Sequence, residues 1–83
     1  MRTIQIAPNR DECRIEGRKI IGTMGDSTFV YEIPARVKRE RLPSDEQMIE
    51  DFRAAIAMGS KRWWVEEVLN NHWKIKCGKF YIL

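Results

Sequence analysis

Apolar residues alternate in short runs up to Ile33, recur at every third or fourth position from Met48 to Leu69 and alternate again from Trp73, with Leu42-Pro43-Ser44 marking the main break. A period of two is the signature of a half-buried strand and a period of 3.6 that of an amphipathic helix. One chain carrying both in separate blocks is expected to be α+β, with strands and helices segregated along the sequence. At 83 residues it has room for one domain, 1–83, and one modest core.

The first block predicts an antiparallel meander over about 2–33. Ile4 and Ile6 share one face of a strand ended by Pro8-Asn9, and Cys13 and Ile15 point inward from a second near 12–16. Glu16-Gly17 supplies a turn into Lys19, Ile20 and Ile21, and Gly25-Asp26 supplies the next. Phe29, Tyr31 and Ile33 line one face of the strand that follows, and Pro34 stops it.

The second block predicts two helices. Ser44 with Gln47 forms a capping box, Asp45 and Glu46 suit the helix dipole, and Gly59 suits a left-handed residue past the end, which bounds a helix at 45–58. Its inner face is Met48, Ile49, Phe52, Ala55 and Ile56. Ser60 is expected to cap a second helix over about 61–71, with Trp64, Val65, Val68, Leu69 and His72 on the core arc. Alternation from Trp73 to Lys76 and a turn at Cys77-Gly78 predict a closing β-hairpin over 73–83.

Catalysis finds little purchase in these residues. A nucleophile with its base, a carboxylate pair in a cleft or a metal site would be required, and His72, the single histidine, falls on the apolar arc. Cys13, Cys77 and His72 make three zinc ligands where a structural site wants four, and no Cys-x-x-Cys knuckle is present. The acids Asp45, Glu46, Glu50 and Asp51 sit where helix starts collect acids anyway. Gly22 and Gly25 lack the lysine and helix of a phosphate loop. No enzyme activity, metal or cofactor is expected.

Two cysteines are too few for a secreted disulfide framework, and no run is long and apolar enough for a membrane span or shaped as a signal peptide. The expected setting is cytoplasmic, with no membrane partner.

Binding is the function class left in reach. Trp63 falls outside the apolar arc of its helix, where it is either an exposed anchor, the residue type that dominates interface energetics, or a side chain covered by the N-terminal meander folding back. Arg36, Lys38, Arg39 and Arg41 form a basic connection between the two blocks, and Lys61 and Arg62 open the second helix. The net charge of +3 is unevenly spread, with 44–59 at −3 and 60–83 at +3, which suits directed docking. The leading expectation is a small binding protein that docks on a larger protein or nucleoprotein complex and modulates or inhibits it. Trp63, Lys61, Arg62, Arg36, Lys38, Arg39 and Arg41 are its contact residues. In size and composition alone it is similar to the accessory inhibitors of phages and mobile elements, anti-CRISPR proteins among them.

The alternative uses residues 45–83. A capped helix, a tight turn, a second helix and a hairpin resemble a winged helix-turn-helix, which implies a DNA-binding regulator. Lys61, Arg62 and Trp63 would then approach the major groove, with Lys74, Lys76 and Lys79 on backbone phosphates. Glu66 and Glu67 on the presumed recognition helix oppose that reading.

Overall fold

The computed structural model describes residues 6–59 and 61–83, apart from the side chain of Arg62. The described residues form strands β1 (Cys13–Glu16), β2 (Lys19–Met24), β3 (Ser27–Glu32) and β4 (Lys79–Ile82), and helices α1 (Asp45–Met58) and α2 (Arg62–Trp73). Short 3-10 turns occupy Arg10–Glu12 and Arg39–Arg41. The fold is α+β, as the two hydrophobic periods require.

The four strands make one antiparallel sheet in the order β1-β2-β3-β4. Register pairs Glu16 with Lys19 and Met24 with Ser27, so the two turns are Gly17-Arg18 and Gly25-Asp26. The first lies one residue beyond the expected Glu16-Gly17. Gly17 and Gly25 adopt φ +59° and +61°, the left-handed conformation that glycine reaches at no steric cost. Placing each glycine first in its two-residue loop matches the twist of the flanking strands.

The strand expected at 2–7 falls mostly outside the described residues. Ile6 and Ala7, which are described, carry no strand, and Ile6 is exposed. Pro8 instead packs fully buried beside Gly22, where a Cβ would come within 3.0 Å of both Pro8 and the Phe52 ring.

One face of the sheet carries Ile20, Phe29, Tyr31 and Phe80, all buried with Met48, Phe52, Ala55 and Ile56 of α1 and Val65 and Leu69 of α2. Phe80 stacks on Phe29 at 6.1 Å between centroids and meets Phe52 edge-on at 6.2 Å. At about 25 cal/mol for each Å² of apolar surface removed from water, these aromatics contribute a large share of the fold's stability.

Helix α1 has the expected bounds. Ser44 accepts the Gln47 amide N–H at 3.2 Å, while the Gln47 side chain turns to Asp51 at 2.9 Å instead of closing the reciprocal half of a capping box. Gly59 has φ 168°, which is extended backbone, so the expected left-handed stop is not formed. The Trp64 ring lies against Gly59, 3.4 Å from where a Cβ would stand, an ordinary van der Waals contact.

Helix α2 runs to Trp73, two residues past expectation, and its N-cap is Lys61, with no side-chain cap bond. The expected cap Ser60 lies outside the described residues. The core arc also rotates: Trp73 is buried and His72 is exposed. Trp73 reaches Tyr31 edge-on at 5.4 Å, an aromatic contact that His72 could not supply.

The closing hairpin over 73–83 is not formed. Trp73 ends α2, Lys74 takes the left-handed conformation at φ 55°, and the chain crosses to β4, which pairs with β3. An alternation of four residues is too short to distinguish a strand from a helix end and its exit. Among the described residues no helix is long and apolar enough to cross a membrane.

Candidate functional site

The predicted contact residues separate into two groups at opposite ends of α2, a helix of twelve residues and therefore about 18 Å long.

At its N-terminal end stand Met58, Lys61 and Trp63. Met58 closes α1 and is 68% exposed, and Trp63 is 62% exposed. The Trp63 ring rests edge-on against Trp64 at 6.0 Å. Trp64 is half-buried, and its indole N–H is shielded from solvent with no hydrogen-bond partner among the described residues. The placement of Trp63 follows from the helical wheel, since Val65 and Leu69 hold the core side and Trp63 falls away from them. Arg62 belongs to this helix start by its backbone, and its side chain lies outside the description.

At the C-terminal end, Arg36 and Arg41 from the connection between β3 and α1 meet Lys74 and Lys76 from the exit of α2. These four cations, with Val37 and Ile75, line an open depression of about 480 Å³ that no acidic residue lines. Two anchors hold the connection in place. Arg18 donates from Nη1 to the carbonyls of Pro34 and Val37 at 3.0 and 2.9 Å, and Val37 is buried. Arg36 donates from Nη2 to the Lys76 carbonyl at 2.7 Å, which fastens the two segments directly. Part of this charge serves the fold, because cations offset the negative end of the α2 dipole.

The other members of the basic connection behave differently. Arg39 is paired with Asp45 at the start of α1. Lys38 is exposed and opens the 3-10 turn. Lys79 sits on β4 opposite Glu32, away from Lys74 and Lys76. The residues of the predicted winged element are therefore dispersed: Lys61 and Arg62 at one end of α2, Lys74 and Lys76 at the other, and Lys79 in the sheet. Glu66, expected along a groove-facing surface, instead accepts the Phe80 backbone N–H at 2.9 Å.

Acids and bases are used unequally. Glu50 pairs with Arg10 at 3.2 Å and Arg53 at 3.1 Å, Glu32 with Lys19 at 3.4 Å, and Glu16 with Arg14. Asp51 is only 16% exposed and accepts from the Trp73 indole at 3.0 Å while facing His72 Nε2 at 3.2 Å. Arg41, Lys61, Lys74, Lys76 and Lys79 make no ion pair among the described residues. Many of the acids are engaged within the fold, and the uncompensated cations face solvent.

Of the candidate chemical groups, Cys13 is half-buried on β1 and Cys77 is exposed in the loop before β4, both as free thiols. Burial pushes the Cys13 thiol above its usual range, which opposes its use as a thiolate. No group of three metal-ligating side chains occurs among the described residues. The meeting of the basic connection with Lys74 and Lys76 escaped the sequence reading. Its only trace there was Pro34, which ends β3 and leaves the following residues free to cross toward the end of α2.

Comparison with family models, with curated proteins and with solved structures finds no match for this chain.

Proposed function

We propose that this protein is a non-enzymatic binding module of the cytoplasm that docks on a larger protein or nucleoprotein complex and modulates it. The supporting observation is Trp63. A tryptophan left 62% exposed at a helix start, with Met58 exposed at the end of the preceding helix, offers apolar area that the protein's own core does not use. Tryptophan is the side chain most enriched among interface residues whose loss weakens binding. Lys61 beside it would speed encounter with an acidic partner and help orient it.

The winged helix-turn-helix reading has no wing to rest on, since β4 is part of the main sheet.

The test is capture with purified wild-type and Trp63→Ala proteins, followed by measurement of affinity for whatever protein is retained. Trp63→Ala should lower the unfolding free energy by no more than about 1.5 kcal/mol, the worth of its edge-on contact with Trp64. It should weaken binding by about 2 kcal/mol or more, as for an interface anchor. Retention of the same partner with unchanged affinity would remove Trp63 from the contact surface.

A further inference from the structure

We infer that the depression formed by Arg36, Arg41, Lys74 and Lys76 binds the phosphodiester backbone of duplex nucleic acid without reading its sequence. This site lies at the opposite end of α2 from Trp63 and does not depend on the protein-docking proposal.

Three observations carry the inference. The four cations converge from two chain segments on one depression, and no acid lines it. A typical protein surface interleaves both signs, so a site that gathers four cations without an acid fits a ligand of dense, one-signed charge. Duplex nucleic acid carries one negative charge per about 1.7 Å of axis. The second observation is the hydrogen-bonding capacity left over. Arg36 spends Nη2 on the Lys76 carbonyl, while Arg41, Lys74 and Lys76 have no acidic partner among the described residues, and a guanidinium presents a planar fork that fits two phosphate oxygens at once. The third is the apolar part of the lining, which is Val37 and Ile75. Single-stranded nucleic acid is held largely by stacking its bases on aromatic rings, and this depression offers none. Contacts confined to phosphates position a protein on a duplex and carry no direct sequence information.

The experiment titrates the whole protein with a mixed-sequence DNA duplex at 50 and 200 mM monovalent salt. Four phosphate contacts predict an affinity loss of about 150-fold between the two conditions. Arg41→Gln with Lys76→Gln removes two contacts and should cut that loss to about 12-fold while weakening binding at low salt. Both positions are exposed, and circular dichroism verifies that the variant folds. Trp63→Ala should leave the salt dependence unchanged, so failure here and failure of the docking proposal are told apart. Absence of binding at 50 mM salt overturns the inference. So does binding whose salt dependence survives the Arg41/Lys76 variant but falls on replacing Lys61 and Lys79. Equal affinity for poly-glutamate of matched charge also overturns it, and would mark the depression as a seat for an acidic protein instead.

Discussion

Tyr31, next to last in β3, and Asn70 on α2 are joined directly, the phenol donating to Oδ1 of the amide. The same amide donates from Nδ2 to the Gly78 carbonyl at 3.1 Å, so one side chain links sheet, helix and the approach to β4. Gly78 stands so close to both groups that a Cβ would overlap the Tyr31 hydroxyl and Asn70 Oδ1. The chain reaches β4 in the right register only because that position has no side chain.

Gly78→Ala should therefore destabilise the protein by about 1–3 kcal/mol through overpacking. Tyr31→Phe removes the nearest obstructing atom, so the two changes together should cost less than their sum by about 0.5 kcal/mol or more. Urea unfolding of the two single variants and the double variant measures the difference. Strict additivity would mean that the methyl is accommodated elsewhere.

Alkaline pH should expose the same contact. Burial, with a smaller contribution from the charge of Glu66, pushes the Tyr31 phenol above its usual value. The unfolded chain releases that proton near pH 10 and the folded chain keeps it, so the stabilisation is complete below about pH 10 and declines as pH rises further. Lys19, held up by its bond to the Glu32 carboxylate, loses stability in the same direction. The contribution of Tyr31 is isolated by comparing wild type with Tyr31→Phe in urea melts from pH 9 to 11. The variant should show the shallower decline, and parallel curves would contradict the assignment.

Asp51 and His72 differ in what they hold. The Asp51 carboxylate is nearly enclosed and accepts the Trp73 indole and the Gln47 amide, whereas His72 is 59% exposed. Asp51→Ala strands the indole N–H and should cost about 1–3 kcal/mol. His72→Ala removes one arm of a solvent-facing pair and should cost less than about 1 kcal/mol. Thermal or urea melts of both variants at pH 7 decide the order. Equal losses at the two positions would show that the ion pair and not the indole bond fastens α1 to α2, because Asp51→Ala removes both.

Where sequence sufficed and where it failed divides along the range of the interactions. The start of helix α1 was legible because Ser44, Pro43 and the apolar spacing act within a few residues, and its end falls at Met58 as expected although Gly59 is extended and not left-handed. The meander was legible because Gly17 and Gly25 fix tight turns locally, and a one-residue slip of the first turn left the alternation of the strands intact. The exit from α2 was not legible. Whether Trp73 faces the core depends on Tyr31, more than forty positions earlier, and a left-handed Lys74 carries no marker comparable to glycine. The basic depression failed for the same reason: Arg36 and Lys76 are forty residues apart and meet only because β4 pairs with β3. The helical wheel places Trp63 off the core arc from its neighbours alone, but whether the meander covers it is a long-range matter that only the fold decides, and there it is exposed.

The bond from the Phe80 backbone N–H to Glu66 has a consequence for how copies of this protein behave together. Strand β4 ends the sheet, and the outer edge of a terminal strand is a template on which another chain can crystallise into a fibril. A carboxylate on the central rung of a four-residue edge takes the donor that an incoming strand would need and greets it with negative charge. Losing that carboxylate would free the Phe80 N–H, so a concentrated stock of Glu66→Ala should develop slow, seedable turbidity before wild type does, and equal clarity would show that α2 packed along β4 shields the edge by itself.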